Sequence, residues 1–266
     1  MPCLHAATKR GNLIAMQLLK HNSHDAPIFM IADLHLDPSR PAAIGAFLQF
    51  LAGPARDAQA LYILGDLFEA WVGDDARPVD DPIAPALQAL SAHGVAIYLL
   101  HGNRDFLLGE TFAAAAGAQR LDEPVKLLID DEHVILEHGD ALCTDDLEYQ
   151  ALRNQLRDPH WQAQFLALPI AERIRQAQVA RTQSQAAMTT KTEAIMDVNP
   201  MAVAARFREQ NAQRLIHGHT HRPAQHHLRV DGNNCIRIVL GDWFEQGSVL
   251  RVANGCYELE QLSLSA

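Results

Sequence analysis

The chain has 266 residues, a formal net charge of −10, 48% apolar residues, fourteen histidines and four cysteines. That length suits one large domain with an insertion, and no stretch approaches the roughly 18 consecutive apolar residues of a membrane-spanning helix. The acidic balance argues against a surface built to hold duplex DNA. Cys3, Cys143, Cys235 and Cys256 form no C-x-x-C pair, which argues against a disulfide framework or a thiolate zinc site.

Residues 1–27 are polar, with a weak helical stripe through Leu13, Ile14, Met16, Leu18 and Leu19, and read as an N-terminal extension. They lack a signal-peptide core, so the expected compartment is the cytoplasm. The domain is expected to begin at Ile28, where IFMIA reads as a strand that delivers Asp33 and His35. Pro38 and Pro41 precede a helix through Ile44, Phe47, Leu48 and Leu51, stopped by Gly53-Pro54. ALYIL then reads as a strand buried on both faces and runs into Gly65 and Asp66. Alone, Asp66 could be a turn residue capping a helix at Leu67.

After the loop through Asp74, Asp75, Pro78, Pro82 and Pro85, a helix from Ala84 to His93 stops at Gly94. The strand AIYLL leads to His101, Gly102, Asn103, Arg104 and Asp105. A short helix over Phe112–Ala116 precedes a hairpin of Val125–Ile129 and Val134–Glu137, turning at Asp130-Asp131 and followed by His138. Alternating strands and helices indicate an α/β architecture whose site lies beyond the strands' C-terminal ends.

From about 147 to 208 the pattern is helical, and between Tyr149 and Met196 six Lys or Arg stand against three Asp or Glu. The stretch is either a helical hairpin packed on the core or a lid that binds an anion, a hydrophobic tail, or both. RLIHGHTHRP then delivers His219 and His221. IRIVL, VLRV and YELEQL read as late antiparallel strands with turns at Gly241-Asp242 and Asn254-Gly255.

One pattern recurs along this path: an apolar strand followed at once by a polar side chain of ligand type. Five strand ends deliver seven such residues, Asp33, His35, Asp66, Asn103, His138, His219 and His221. Burying unpaired carboxylates is costly, and a shared cation offsets the cost. On extended backbone, Asp33 with His35 and His219 with His221 would each point to one side. Three oxygen ligands and four imidazoles exceed one tetrahedral ion and suit two. Asp66 is the natural bridge, with Asp33, His35 and His221 on one ion and Asn103, His138 and His219 on the other. Two ions roughly 3.5–4 Å apart hold a hydroxide and clamp a phosphoryl group for in-line attack, which implies hydrolysis of a phosphoester or phosphoanhydride. A non-catalytic metal-dependent scaffold is the competing class, and it has no need of a complete ligand set.

In these motifs, D-x-H, G-D, G-N-x-D, H and G-H-x-H, the sequence resembles the calcineurin-like metallophosphoesterases over nearly the whole chain from Ile28. The resemblance implies a double β-sandwich flanked by helices, with a dimetal centre. Where the family usually has G-N-H-[DE], this chain reads Gly102-Asn103-Arg104-Asp105. In many relatives that His protonates the leaving group, which an arginine with a pKa above about 12 cannot do. A phosphate leaves without a proton, so Arg104 suits a phosphoanhydride, and its fork can hold the phosphates' charge.

With GDLFEAWVGDD, HGNRDFLLG, HGDALCTDD, AIMDVN and HGHTHRPA, the sequence resembles the subfamily of UDP-2,3-diacylglucosamine diphosphatases of lipid A biosynthesis. That resemblance implies release of UMP and 2,3-diacylglucosamine 1-phosphate, attack at the uridylyl-side phosphorus, and two manganese ions per chain. It further implies catalytic roles for Asp66 and Arg104, peripheral placement on the cytoplasmic face of the inner membrane, and no nucleic-acid partner. A phosphodiesterase or nuclease of the same fold is the alternative. Substrate contacts fall on Asn103, Arg104, Asp146, Ser184, Lys191 and His219, and on Met188, where such enzymes usually carry Asn. Trp161, Phe165, Leu168 and Ile174 are candidates for an acyl channel, with ordinary core packing as the other reading. Arg173 and Arg175 are assigned to lipid binding, and His101 and His217 receive no ligand role.

Overall fold

Along Ile28–Ile31, alternate side chains point to opposite sides of a strand, Phe29 and Ile31 one way and Ile28 and Met30 the other, and both sides are buried. Ala60–Leu64 repeats the arrangement, every residue of it inaccessible. Strands apolar on both faces must be covered twice, and the fold follows from that requirement.

The computed structural model describes residues 18–188 and 195–264, with residues 185–188 described in backbone alone. In chain order the elements are β1 (Leu19–His21), β2 (Ile28–Ile31), α1 (Pro41–Ala52), β3 (Ala60–Leu64), α2 (Ile83–Ala92), β4 (Ala96–Leu100), α3 (Glu110–Ala115) and β5 (Gln119–Arg120). They continue with β6 (Val125–Ile129), β7 (Glu132–Leu136), α4 (Leu147–Leu156), α5 (Pro159–Leu166), α6 (Ile170–Met188) and α7 (Pro200–Gln210). The last are β8 (Arg214–His217), β9 (Ala224–Val230), β10 (Asn233–Val239), β11 (Gln246–Ala253) and β12 (Cys256–Ser263). One sheet runs β12-β11-β2-β3-β4-β5 and the other β1-β6-β7-β8-β10-β9. Within the first, β2, β3 and β4 are parallel, with Met30 opposite Tyr62 and Tyr62 opposite Tyr98.

The two sheets face each other across Met30, Tyr62 and Leu64 on one side and Leu127, Leu136, Ile216 and Ile238 on the other. On the outer face of the first sheet, Phe47, Leu51, Leu87 and Phe112 from α1, α2 and α3 cover Phe29, Ile31, Leu61 and Ile63. On the outer face of the second, Val203 and Phe207 of α7 cover Ile135 and Leu215. Each large side chain fully buried in these layers contributes about 1.5–3 kcal/mol. The result is the two-sheet sandwich flanked by helices that the sequence motifs imply. Asn199 starts α7 by accepting from the N–H groups of Met201 and Ala202, and Asn211 ends it in the left-handed conformation.

Three local expectations change. The stretch read as an extension contains β1, which pairs parallel with β6, and Ser23 N–H donates to Asp130 at 2.7 Å. A three-residue edge strand is too short to leave a periodic signal. Second, β9, which carries little strand signal in the sequence, pairs antiparallel with β10 through a turn at Asp231-Gly232. Third, β10 and β11 lie in different sheets, so Gly241-Asp242 marks a passage between sheets rather than a hairpin. The hairpins at Asp130-Asp131 and Asn254-Gly255 form as expected, with positive φ at all four residues.

The helical stretch spans both outer layers. Phe165 of α5 packs into the α1–α3 side with Trp161 and Leu168, and α7 packs on the opposite side. Arg173 of α6 is not available to lipid, which corrects its assignment. Its side chain is buried, with Nη1 donating to Val72 O at 2.6 Å and to Asp75 at 2.8 Å while Nη2 holds the other carboxylate oxygen. Arg175 is exposed and pairs with Glu172.

Candidate metal centre

The β2–β3 pairing runs on past the strands: Asp33 N–H donates to Gly65 O at 3.1 Å, His35 N–H to Asp66 O at 2.9 Å and Leu36 N–H to Leu67 O at 2.9 Å. Two ligand-bearing loops are thereby zipped together. The backbone in them is not extended. Asp33, His35, Asp66, His219 and His221 have φ of 56°, 48°, 52°, 69° and 55°. Each left-handed residue costs about 1–3 kcal/mol, a cost typical of sites where a side chain must be aimed inward. The paired ligands thus converge through local turns rather than through strand alternation. Close approach does the rest: a Cβ on Gly102 would lie 1.9 Å from Asp66 Oδ1, and one on Gly218 2.2 Å from Asp33 Oδ2.

Tautomers follow from the partners. His138 Nδ1 lies 2.9 Å from Leu64 O, which can only accept, so Nδ1 carries the hydrogen and the neutral ring's Nε2 is a lone pair. That Nε2 is 2.9 Å from Asn103 Oδ1 and 3.7 Å from Asp66 Oδ2. His219 Nδ1 is 2.8 Å from the same Asn103 oxygen. His35 Nδ1 lies 3.1 Å from Glu69, close but not aligned for a hydrogen bond, and His221 Nδ1 3.2 Å from Asp242; with ring hydrogens on those nitrogens, the Nε2 atoms, 3.3 Å apart, face each other. Asp66 Oδ2 stands 3.8 Å from His35 Nε2, nearly the same distance as from His138. Asp33 Oδ1, buried, has no hydrogen-bond partner among the described residues.

Facing nitrogens of this kind are satisfied by a positive charge between them, either the rings' own protons or a bound cation. Among the described residues, two groups of donors within 4.8 Å of one another could hold a cation: Asp33, His35 and His221, and Asp33, Asp66 and His138. Oxygen and imidazole donors are those preferred by zinc, manganese and iron.

The charges respond accordingly. Burial pushes Asp66 up, and His138 and His35 only partly offset it. Burial also opposes the charge on Asp33, but His221, His138 and His35 outweigh it and hold this carboxyl low. Burial would lower His138 and His221, yet Asp66 and Asp33 raise His138 to about 9, and Asp242 and Asp33 raise His221 to about 10. Burial lowers His219 to about 4.

Around the ligands stand residues to which the sequence motifs give no role. Asp105, buried, accepts from the N–H groups of Gly102 at 2.8 Å, Asp66 at 3.2 Å and Leu67 at 2.8 Å, tying the loop after β4 to the loop after β3. Its position at the end of Gly-Asn-Arg-Asp was a usable signal. Glu69 and Asp242, which lie against the Nδ1 atoms of His35 and His221 at 3.1 and 3.2 Å, left no signal in spacing. Tyr149 stacks on His219 at 5.9 Å and donates to Asp140 at 2.7 Å, and Arg153 bonds the same carboxylate at 2.8 Å. Phe244, half exposed, stacks on His35 at 5.3 Å.

Of the expected substrate residues, Asn103 and His219 lie in the cluster, and half-buried Arg104 joins it through its N–H, which donates to Asp66 Oδ1 at 2.7 Å. Asp146 caps α4 by accepting from Tyr149 N–H at 3.0 Å. Ser184 is half-buried on α6; the Met188 side chain and Lys191 lie outside the described residues. Trp161 stacks on Phe165 at 5.1 Å, both against the core with Leu168, whereas Ile174 is exposed. His101 bonds Leu108 O at 2.7 Å, and His217 bonds Gly218 O at 2.8 Å and Arg237 at 3.2 Å.

The calcineurin-like phosphoesterase pattern matches residues 26–223. The chain is 52% identical over 241 residues to the UDP-2,3-diacylglucosamine hydrolase of Stenotrophomonas maltophilia strain K279a, a match that covers 88% of this chain and 97% of that protein. It is 51% identical over 242 residues to the protein of that name from Xanthomonas oryzae pv. oryzae strain PXO99A, covering 88% and 98%. The counterpart from Xanthomonas campestris pv. campestris strain 8004 is 49% identical over 242 residues, again covering 88% and 98%. Such a family implies divalent metal ions, and the donor set described above fits them. The chain belongs to the calcineurin-like phosphoesterase family, in the group of the UDP-2,3-diacylglucosamine hydrolases.

Proposed function

We propose that the protein hydrolyses the pyrophosphate of UDP-2,3-diacylglucosamine, releasing UMP and 2,3-diacylglucosamine 1-phosphate for lipid A biosynthesis, with attack on the uridylyl-side phosphorus. The observation that carries the reading is the convergence of His35, His138 and His221 lone pairs on Asp33, Asp66 and Asn103, with Arg104 beside them. Identity near 50% along almost the full length of the relatives supports the substrate.

Asp33, His35, His221 and Asp66 would hold one divalent cation, and Asp66, Asn103, His138 and His219 a second, both manganese in this reading. When bound, such a pair lowers the pKa of water and neutralises phosphate charge. The protein's part is orientation. Asp105 fixes the loop that carries Asn103 and Arg104, and the Arg104 guanidinium binds phosphate oxygens that become a phosphate leaving group. No proton donor is needed for that departure, consistent with Arg where a diesterase would place His.

In this reading substrate contacts fall on Asp146, Ser184, Met188 and Lys191, and Trp161, Phe165, Leu168 and Ile174 border the acyl path, beneath a lid to which α4, α5 and α6 belong. No helix among the described residues is long and apolar enough to cross a membrane. Ile170 and Val179 of α6 are nonetheless exposed. They form the contact with the cytoplasmic leaflet of the inner membrane.

The test is mass spectrometry of products formed in isotopically labelled water with manganese present. Label in UMP supports the reading, label in the sugar phosphate moves the site of attack, and preference for a nucleotide diester over UDP-diacylglucosamine replaces the reading with a phosphodiesterase.

A further inference from the structure

Glu69 lies three residues past Asp66, and its two carboxylate oxygens reach in different directions. Oε2 is 3.1 Å from Nδ1 of His35, within ion-pair reach although that buried nitrogen makes no aligned hydrogen bond, and Oε1 is 3.1 Å from Nη2 of Arg181. The Glu69 side chain is 8% exposed, and its backbone N–H is pinned to Leu36 O at 3.1 Å. Arg181 comes from α6 and its side chain is 44% exposed. Eight residues earlier on the same helix, Arg173 is buried against Val72 O and Asp75. At 1.5 Å of rise per residue the two arginines stand about 12 Å apart along the axis. Both grip residues 69–75, the stretch that follows Asp66. One grip is buried and forked; the other is a single partly exposed ion pair, the easier to release.

We infer that Glu69 is a positioning residue for His35 and that Arg181 latches it, so that the seating of α6 sets the orientation of an imidazole in the metal centre. An imidazole that offers Nε2 to a cation is kept in place by whatever holds its Nδ1–H, and a carboxylate held from both sides does this better than one held from a single side. The helical stretch and the ligand cluster are thereby joined by three side chains. The inference rests on reading the cluster as a divalent-cation site.

The experiment is titration of the purified full-length chain with Mn2+, free ion being read by electron paramagnetic resonance. The proteins are wild type, Glu69→Ala, Glu69→Gln, Arg181→Ala, Arg181→Lys and the double variant Glu69→Ala/Arg181→Ala. Glu69→Ala is expected to weaken Mn2+ binding about 10- to 100-fold, the usual consequence of losing a ligand's orienting partner. Arg181→Ala is expected to weaken it about two- to five-fold, the size of a partly exposed ion pair, and Arg181→Lys to restore most of that. The double variant should bind no more weakly than Glu69→Ala alone. Unchanged affinity in Glu69→Ala, or additive losses in the double variant, overturns the latch. If Glu69→Ala does not fold, Glu69→Gln decides: weaker binding with the melting temperature of the metal-free chain unchanged supports the inference, and wild-type affinity overturns it. Failure of the wild type to bind Mn2+ would instead overturn the metal reading, taking the latch with it.

Discussion

The carbonyl oxygen of Leu64 accepts the Nδ1–H of His138 at 2.9 Å, and this one bond decides which ring nitrogen faces the cluster. Leu64 is the last residue of β3, so the strand that delivers Asp66 also sets the tautomer of a ligand from the other sheet.

Cation binding must then displace protons. His138 is raised to about 9 and His221 to about 10 without a metal, so both are protonated at pH 7. Mn2+ binding at pH 7 is expected to release protons, and apparent affinity should climb as pH rises from 6 to 8. Calorimetry in two buffers of different ionisation enthalpy checks this; equal heats in both would contradict it.

Stability of the metal-free chain should run the opposite way. A histidine whose folded pKa exceeds its unfolded value of about 6.5 contributes fully below that pH and loses its contribution as pH climbs through the folded pKa. For His138 and His221 the loss falls between pH 6.5 and about 10. Asp66, also raised, adds a loss of the same sign lower down, from its unfolded pKa up to about 6. Melting in chelator should therefore occur at lower temperature at pH 9.5 than at pH 6.5, and saturating Mn2+ should remove the difference. A higher melting temperature at pH 9.5 in chelator would refute the charge assignment.

Asp66 and Arg104 separate by the kind of loss they produce. Asp66→Ala removes the oxygen placed between His35 and His138 and should reduce Mn-dependent UMP release about 100-fold or more while circular dichroism stays unchanged. Arg104→Lys keeps the charge but not the fork, and should recover little of the activity lost in Arg104→Ala. Steady-state rates with UDP-diacylglucosamine settle both, and full activity in Arg104→Lys would remove the forked contact.

Gly218→Ala inserts a Cβ where Asp33 Oδ2 lies 2.2 Å away, and that oxygen also accepts from His219 N–H at 2.8 Å. Overpacking of this kind costs about 1–3 kcal/mol. Chemical denaturation should show that loss together with weaker Mn2+ binding, and wild-type values of both would count against the observed closeness.

Membrane attachment is tested on the exposed helical side chains. Ile170→Asp with Val179→Asp, at 38% and 46% exposure, should reduce sedimentation with anionic phospholipid vesicles and leave Mn2+ affinity unchanged. Undiminished sedimentation would detach the helical stretch from the lipid role.

The ligands were legible because each follows an uninterrupted apolar strand, where a carboxylate or imidazole is costly to bury unless a cation or a hydrogen-bond partner meets it. Glu69, Asp242 and Arg181 were not, since they meet their partners only through folding and sit in no recurring pattern. β9 leaves little apolar periodicity because Gln225, His227 and Arg229 face outward and only Val230 is buried. Gly241-Asp242 looked like a hairpin because a turn signal says that the chain bends without saying which sheet it enters next.

Asp33, His35, Asp66 and Asn103 come from the ends of β2, β3 and β4, whereas His138, His219 and His221 come from β7 and β8. Each proposed coordination shell therefore draws from both halves of the sandwich, and a chain whose sheets have not yet docked offers an ion only a fragment of its cage. Full coordination therefore requires docked sheets, and a chain whose sheets met out of register would be unable to hold such ions.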